Sequence, residues 1–143
     1  MGGNMTEIRY VKKEDEQFWF SLDSHLSKAV FEEKVRTGSG YVLLLDGNPI
    51  GLLRYSLFWD NTPFCNMLFV DGEYQRKGYG RQLMEFWENE MKKQGYAMLL
   101  TSTQADETAQ HFYRKLGYKD CGSLIIDIPR FAQPMEIFFI KEV

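Results

Sequence analysis

No apolar run in this chain of 143 residues approaches the roughly 18 that a membrane-spanning helix needs. The opening stretch, MGGNMTEIRY, also lacks the apolar segment of a secretory leader. The expected location is therefore the cytoplasm, with no membrane partner. Histidine and cysteine are scarce, at two each. His25 and His111 have no partner at ligand spacing, and Cys65 and Cys121 lie on different elements without a CxxC, so no metal site is expected. Both thiols are expected to be reduced and buried. A basic excess is missing too: 17 Lys and Arg against 20 Asp and Glu leave a net charge of −3, which argues against a general nucleic-acid binder.

What is present is the mixture of a globular domain, 44% hydrophobic and 26% charged, expected to form one unit over residues 1–143. Met5 is a second candidate start, which would leave Met1–Asn4 outside the native chain. EIRYV (7–11) reads as an edge strand, and EDEQFWFSL and SKAVFEEKVRTG read as helices, the second opening at Ser27 and stopping at Gly38. YVLLLDGNPIGLLRYSLF is a hairpin turned by Asp46-Gly47-Asn48-Pro49, with Arg54 and Ser56 interrupting its second strand. FCNMLFV (64–70) is apolar on both faces except at Asn66, the pattern of a central strand covered on both sides. A helix carrying Leu83, Met84, Trp87 and Met91 follows and stops at Gly95; YAMLLTST is the next strand. Ala109, Phe112, Tyr113 and Leu116 then recur at helical spacing, with Asp106 and Glu107 expected in the first turn and Gly117 closing the helix. SLIIDI and MEIFFIKEV supply two final strands around a loop from Pro129 to Pro134. The order implies an α/β layering on a mixed sheet, with parallel strands and a cleft at its centre.

LFVDGEYQRKGYGRQLM places Gly78 and Gly80 between a strand and a helix, with Arg76, Lys77 and Arg81 crowded into the same turn of an acidic protein. A helix N-terminus offers unpaired N–H groups and partial positive charge, and glycine lets a phosphate approach the backbone. A tight turn with no ligand is the alternative. The dinucleotide fingerprint fails because Leu83 stands where a third small residue belongs, and a P-loop fails because Lys77 precedes Gly78.

VDGEYQRKGYG followed by RQLM resembles the acyl-CoA-binding motif of the GNAT N-acetyltransferases, Q/R-x-x-G-x-G/A, at Gln75, Gly78 and Gly80. ADETAQHFYRKLGY resembles the family's later helix at Ala109, Phe112, Tyr113, Lys115, Gly117 and Tyr118. The resemblance implies a single-domain fold: a mixed sheet of about six to seven strands flanked by about four helices, its fourth and fifth strands splayed to form the acyl-CoA cleft. It implies acetyl-CoA as co-substrate, with the pyrophosphate on the turn of Gln75, Arg76, Lys77, Gly78, Tyr79, Gly80 and Arg81. The pantetheine arm would add a strand beside Leu68, Phe69 and Val70, and the Leu68 amide would face the thioester oxygen.

By the same resemblance Tyr113 is the general acid for the departing thiolate, although its place on an apolar helix face also suits a core residue. Asp106 stands where many relatives have a CoA-contacting Asn, and a helix N-cap is its other reading. The glutamate that some members carry on the fourth strand is replaced by Phe64, leaving Asp60, Asn66 and Glu136 as candidate bases. Cys65 has no adjacent base, which favours direct transfer in a ternary complex over an acyl-enzyme. The acceptor segments include Trp19, Asp23, Trp59, Asp60 and Phe64, whose aromatics and carboxylates suit a small cationic amine. A protein N-terminus or lysine, and a CoA-binding module without turnover, are the alternatives. A second copy of the chain is left open as a partner.

Overall fold

Period-two alternation in the first hairpin feeds two cores. Tyr41, Leu43 and Leu53 point to one face of the sheet, and Val42, Leu44 and Leu52 to the other. The computed structural model describes residues 5–143; whether Met1–Asn4 is native lies outside the described residues. The strands are β1 (Thr6–Tyr10), β2 (Gly40–Leu45), β3 (Asn48–Phe58), β4 (Thr62–Val70), β5 (Met98–Gln104), β6 (Lys119–Leu124) and β7 (Glu136–Glu142), and the helices α1 (Glu16–Leu22), α2 (Lys28–Thr37), α3 (Tyr79–Lys93) and α4 (Ala109–Lys115). The seven strands form one sheet in the order β1-β2-β3-β4-β5-β7-β6. Among the described residues only β4 and β5 pair in parallel; the hairpin of β6 and β7 inserts β7 between β5 and β6. No helix among the described residues is long and apolar enough to cross a membrane.

The helix signals act as the sequence implies. Ser27 caps α2 by accepting from the Val30 N–H, and Gly38 ends it at φ +67°. Along α3, Leu83, Met84, Trp87 and Met91 are fully buried against the sheet, each burial worth about 1.5–3 kcal/mol. Trp19 and Phe31, from α1 and α2, fill the opposite core.

Four expectations are corrected. Asp106 and Glu107 do not open α4: they lie in the preceding turn, and Thr108 begins the helix without any side-chain cap. The sixth strand runs over Lys119–Leu124, earlier than SLIIDI, because pairing with β7 stops at Leu124↔Glu136 and leaves Ile125 and Ile128 exposed in the loop. Cys121 is exposed, being the extra residue of a bulge between Asp120↔Phe139 and Gly122↔Phe138 on this edge strand. Finally, β4 is central but its cover is interrupted: Thr62–Cys65 and Val70 are buried, while Asn66 and Phe69 are exposed.

Candidate active site

The loss of cover on β4 begins at a bulge. Arg54 pairs with Met67 and Tyr55 with Cys65, so Asn66 is an extra residue that bends the strand. Pairing of β4 with β5 is confined to Phe64↔Leu100 and Cys65↔Thr101. Beyond these the strands part, and alternate backbone groups of Met67–Phe69 face the gap without a β5 partner. The gap is a cavity of about 470 Å³ that passes through the sheet.

At the mouth, the Gln75 side chain donates 2.8 Å to the Val70 carbonyl and closes the loop on the end of β4. Arg76 and Gly78 both take left-handed backbone, at φ +61° and +89°. The first helical bond of α3 runs from Gln82 N–H to Gly78 C=O, so the amides of Tyr79, Gly80 and Arg81 are unpaired at its N-terminus. Arg76, Lys77 and Arg81 are exposed around them, Arg81 lying 3.3 Å from Glu85, while the Tyr79 ring is buried in the core. A strand gap with open backbone, ending on unpaired amides ringed by cations, fits the arm and pyrophosphate of an acyl-CoA. Gln75 serves this mouth by holding its shape, and Asp106 is exposed ahead of α4.

On the α3/α4 face of the gap, Tyr113 lines the cavity and is 6% exposed. Burial pushes its phenol well above the ordinary value, the neighbouring Cys65 adds to this, and the Thr101 hydroxyl partly offsets it. The group is a proton donor that stays protonated. Burial likewise pushes the Cys65 thiol up to about 12, against smaller opposing effects of Thr101, the backbone at Met67 and Arg54; it is no nucleophile at neutral pH.

On the α1/α2 face stand Arg54, Asn66, Ser102 and Glu136. Ser102 Oγ donates 2.6 Å to Glu136 Oε2, and Ser56 Oγ donates 2.7 Å to Asn66 Oδ1. Arg54 is held by Asp23, which is fully buried and accepts from Arg54 Nε at 2.7 Å, Arg54 Nη2 at 3.4 Å, Trp19 Nε1 at 3.1 Å and the His25 N–H at 3.2 Å. Of the candidate bases, Asn66 and Glu136 reach the cavity. Asp60 lies at the tip of the β3–β4 hairpin and lines a separate cavity with Lys34 and Tyr96. Of the acceptor candidates, Trp19 and Phe64 are packed in the interior, Asp23 is buried beneath Arg54 and bonded to it, and Trp59 projects from the hairpin tip. Sequence reasoning passed over Arg54, His25, Ser102 and Gln133 as cleft residues. Arg54 alone carried a signal, as a charge inside an apolar strand.

A sequence model of the Acetyltransferase (GNAT) family matches residues 7–118. The chain belongs to this family and is an acyl-CoA-dependent acetyltransferase. Its fold is similar to that of Ard1 from Thermoplasma volcanium, with a TM-score of 0.83 at 18% identity over 96% of this chain and 97% of that one. The ribosomal-protein-S18-alanine N-acetyltransferase of Escherichia coli gives 0.80 at 21% identity over 97% and 94%. Arabidopsis thaliana Naa50, in complex with the bisubstrate analogue CoA-Ac-MVNAL, gives 0.77 at 14% identity over 96% and 99%. No curated protein sequence matches the chain.

Proposed function

We propose that this protein moves an acetyl group from acetyl-CoA to the primary amine of a small molecule by direct attack within a ternary complex. The observation that carries the reading is the passage through the sheet: Tyr113 lines it on the α3/α4 face, and Asn66, Ser102 and Glu136 on the other. Acetyl-CoA supplies an activated acyl group as a thioester; the complex of Naa50 with a CoA-linked analogue supports a ligand of that kind here. The turn of Gln75 to Arg81 binds its phosphates, and Met67–Phe69 pairs with its arm, the Leu68 amide being the donor assigned to the acyl oxygen. Glu136, oriented by Ser102, takes the proton of the incoming ammonium on one face. Tyr113 gives a proton to the leaving sulfur on the other, and the second proton that the nitrogen loses as the amide forms returns to the phenolate.

The charge this acceptor brings is met by Glu136 rather than by an aromatic box, because Trp19 and Phe64 are packed in the interior. Acceptance of a polypeptide N-terminus is the second reading, and the exposed Ile125, Ile128 and Phe131 of the β6–β7 loop favour it, since Gln133 of that loop lines the cleft. A panel of amines and amino-terminal peptides, run with acetyl-CoA and read by released thiol, tests the proposal. Turnover of small amines is the expected result. Binding of acetyl-CoA with no transfer to any amine would leave a CoA-binding module instead.

A further inference from the structure

We propose that Arg54 is a specificity residue that receives a carboxylate, so that the acceptor is a small amine that also carries an acid group. This rests on the amine-acetylating reading above and narrows it away from polyamines.

The argument begins with how Arg54 is held. Its Nε and Nη2 both turn to Asp23, and Nη1 has no protein partner among the described residues. Asp23 is buried completely and is itself fixed by the Trp19 indole and the His25 amide. The Arg54 side chain is 12% exposed, and what remains exposed is part of the cleft wall. A guanidinium pinned along one edge by a buried acid, with its other edge unpartnered in a residue that lines a cavity, is pre-organised for a second planar acid. Tying α1 to the sheet accounts for the Asp23 contacts, but it leaves the free edge at the cleft unused.

The rest of this face is laid out to match. Arg54 stands on β3 and His25 in the loop after α1, with Glu136 and Ser102 on the side of β7 and β5. The gap therefore has a guanidinium on one wall and a carboxylate on the other. A bare diamine would set one ammonium against Glu136 and the other toward Arg54, whereas an amino acid satisfies both walls at once. Asp23 screens part of the Arg54 charge, yet Nη1 can still donate a directional hydrogen bond to an acid, whereas it offers an ammonium no acceptor.

The test uses matched acceptors with the intact protein and acetyl-CoA: lysine against cadaverine, phenylalanine against phenethylamine, and each amino acid against its amide, with rates referred to the free-amine form. The expected result is a kcat/KM at least about tenfold higher for the carboxylate-bearing member, the usual worth of a hydrogen bond to a charged group. In the double variant Asp23→Asn with Arg54→Gln, which strands no buried acid, KM for the amino acids should rise by a similar factor while the amides change little. Arg54→Lys should restore part of the preference. A merely structural tie predicts equal losses for both members of each pair. Equal or better use of the carboxylate-free members by the parent protein overturns the proposal, and that comparison decides even if the variants fail to fold. If amines of neither kind are acetylated although acetyl-CoA binds, the small-amine reading itself falls, and this inference with it.

Discussion

Ser102 and Glu136 sit on neighbouring strands, β5 and β7, and are joined by a 2.6 Å hydrogen bond from the serine hydroxyl to Oε2 of the carboxylate. The bond fixes the carboxylate at the edge of the cavity and leaves Oε1 with no bond from the described residues. Glu136→Gln should keep the Ser102 contact and remove the proton acceptor. At pH 7 kcat/KM should fall by about 10²- to 10⁴-fold. The deficit should shrink toward pH 10, where an amine of ordinary pKa deprotonates unaided. A loss of the same size at both pH values would assign Glu136 to binding alone.

Tyr113→Phe preserves the ring packed against Phe112, Tyr118 and Phe139 and removes only the hydroxyl. If that hydroxyl protonates the leaving sulfur, kcat should drop by about 10²- to 10⁴-fold, with acetyl-CoA affinity unchanged. A core tyrosine would instead lose about 1 kcal/mol of stability and keep its turnover. Because burial raises the phenol above its ordinary value, the acid form persists as pH rises. The parent enzyme should therefore show no alkaline decline from this group up to about pH 10. Rate profiles and melting curves on the same pair of proteins separate the two roles.

The two glycines of the turn should fail differently. Gly78 has φ +89°, so Gly78→Ala strains the backbone that aims the amides, lowering both melting temperature and acetyl-CoA affinity. Gly80 has ordinary helical backbone, and a Cβ there would sit 3.5 Å from the Phe112 ring and 3.9 Å from Leu68, in normal contact. Gly80→Val should therefore fold, while its branches crowd the passage between α3 and β4 and weaken acetyl-CoA by about tenfold or more, some 1.4 kcal/mol. Calorimetric titration of both variants checks this; parental affinity in folded Gly80→Val would refute it.

Alkylation should distinguish the cysteines. With Cys65 pushed up to about 12 by burial, roughly one thiol in ten thousand is ionised at pH 8, and it is enclosed besides. Cys121 is exposed, although partial burial and Asp120 raise it as well. Iodoacetamide on the native protein should add one label, at Cys121, and a second only after unfolding, as read by mass spectrometry. An acetyl group trapped on Cys65 during turnover would contradict direct transfer.

The parts of this fold that were legible are those written in local patterns. The Ser27 cap, the Asp46-Gly47 turn and the apolar face of α3 are decided by neighbours within a few residues. β6 was misplaced because Ile125, Ile126 and Ile128 look like strand residues, and only pairing with β7 reveals that the ladder has already ended. The sequence pointed to Gln75, Gly78, Gly80 and Tyr113, which the fold gathers around the strand gap. On the opposite face it offered Asn66 and Glu136 but passed over Arg54 and Ser102, because these come from strands far apart in the chain. The aromatic content of Trp19 and Phe64 pointed to a binding surface, but an apolar ring belongs to the core unless something holds it out of it.

The bulge at Asn66 makes the opening a matter of chain length rather than of side-chain identity. With one residue more on β4 than on β3 between paired neighbours, Met67 still faces the α1/α2 core and Leu68 the α3/α4 core, as in an uninterrupted strand. Removal of residue 66 would thus keep every later side chain on its own side while restoring a straight ladder. The protein would retain its hydrophobic interior and lose its aperture. The opening depends on the count of residues between Cys65 and Met67, so this position is intolerant of deletion.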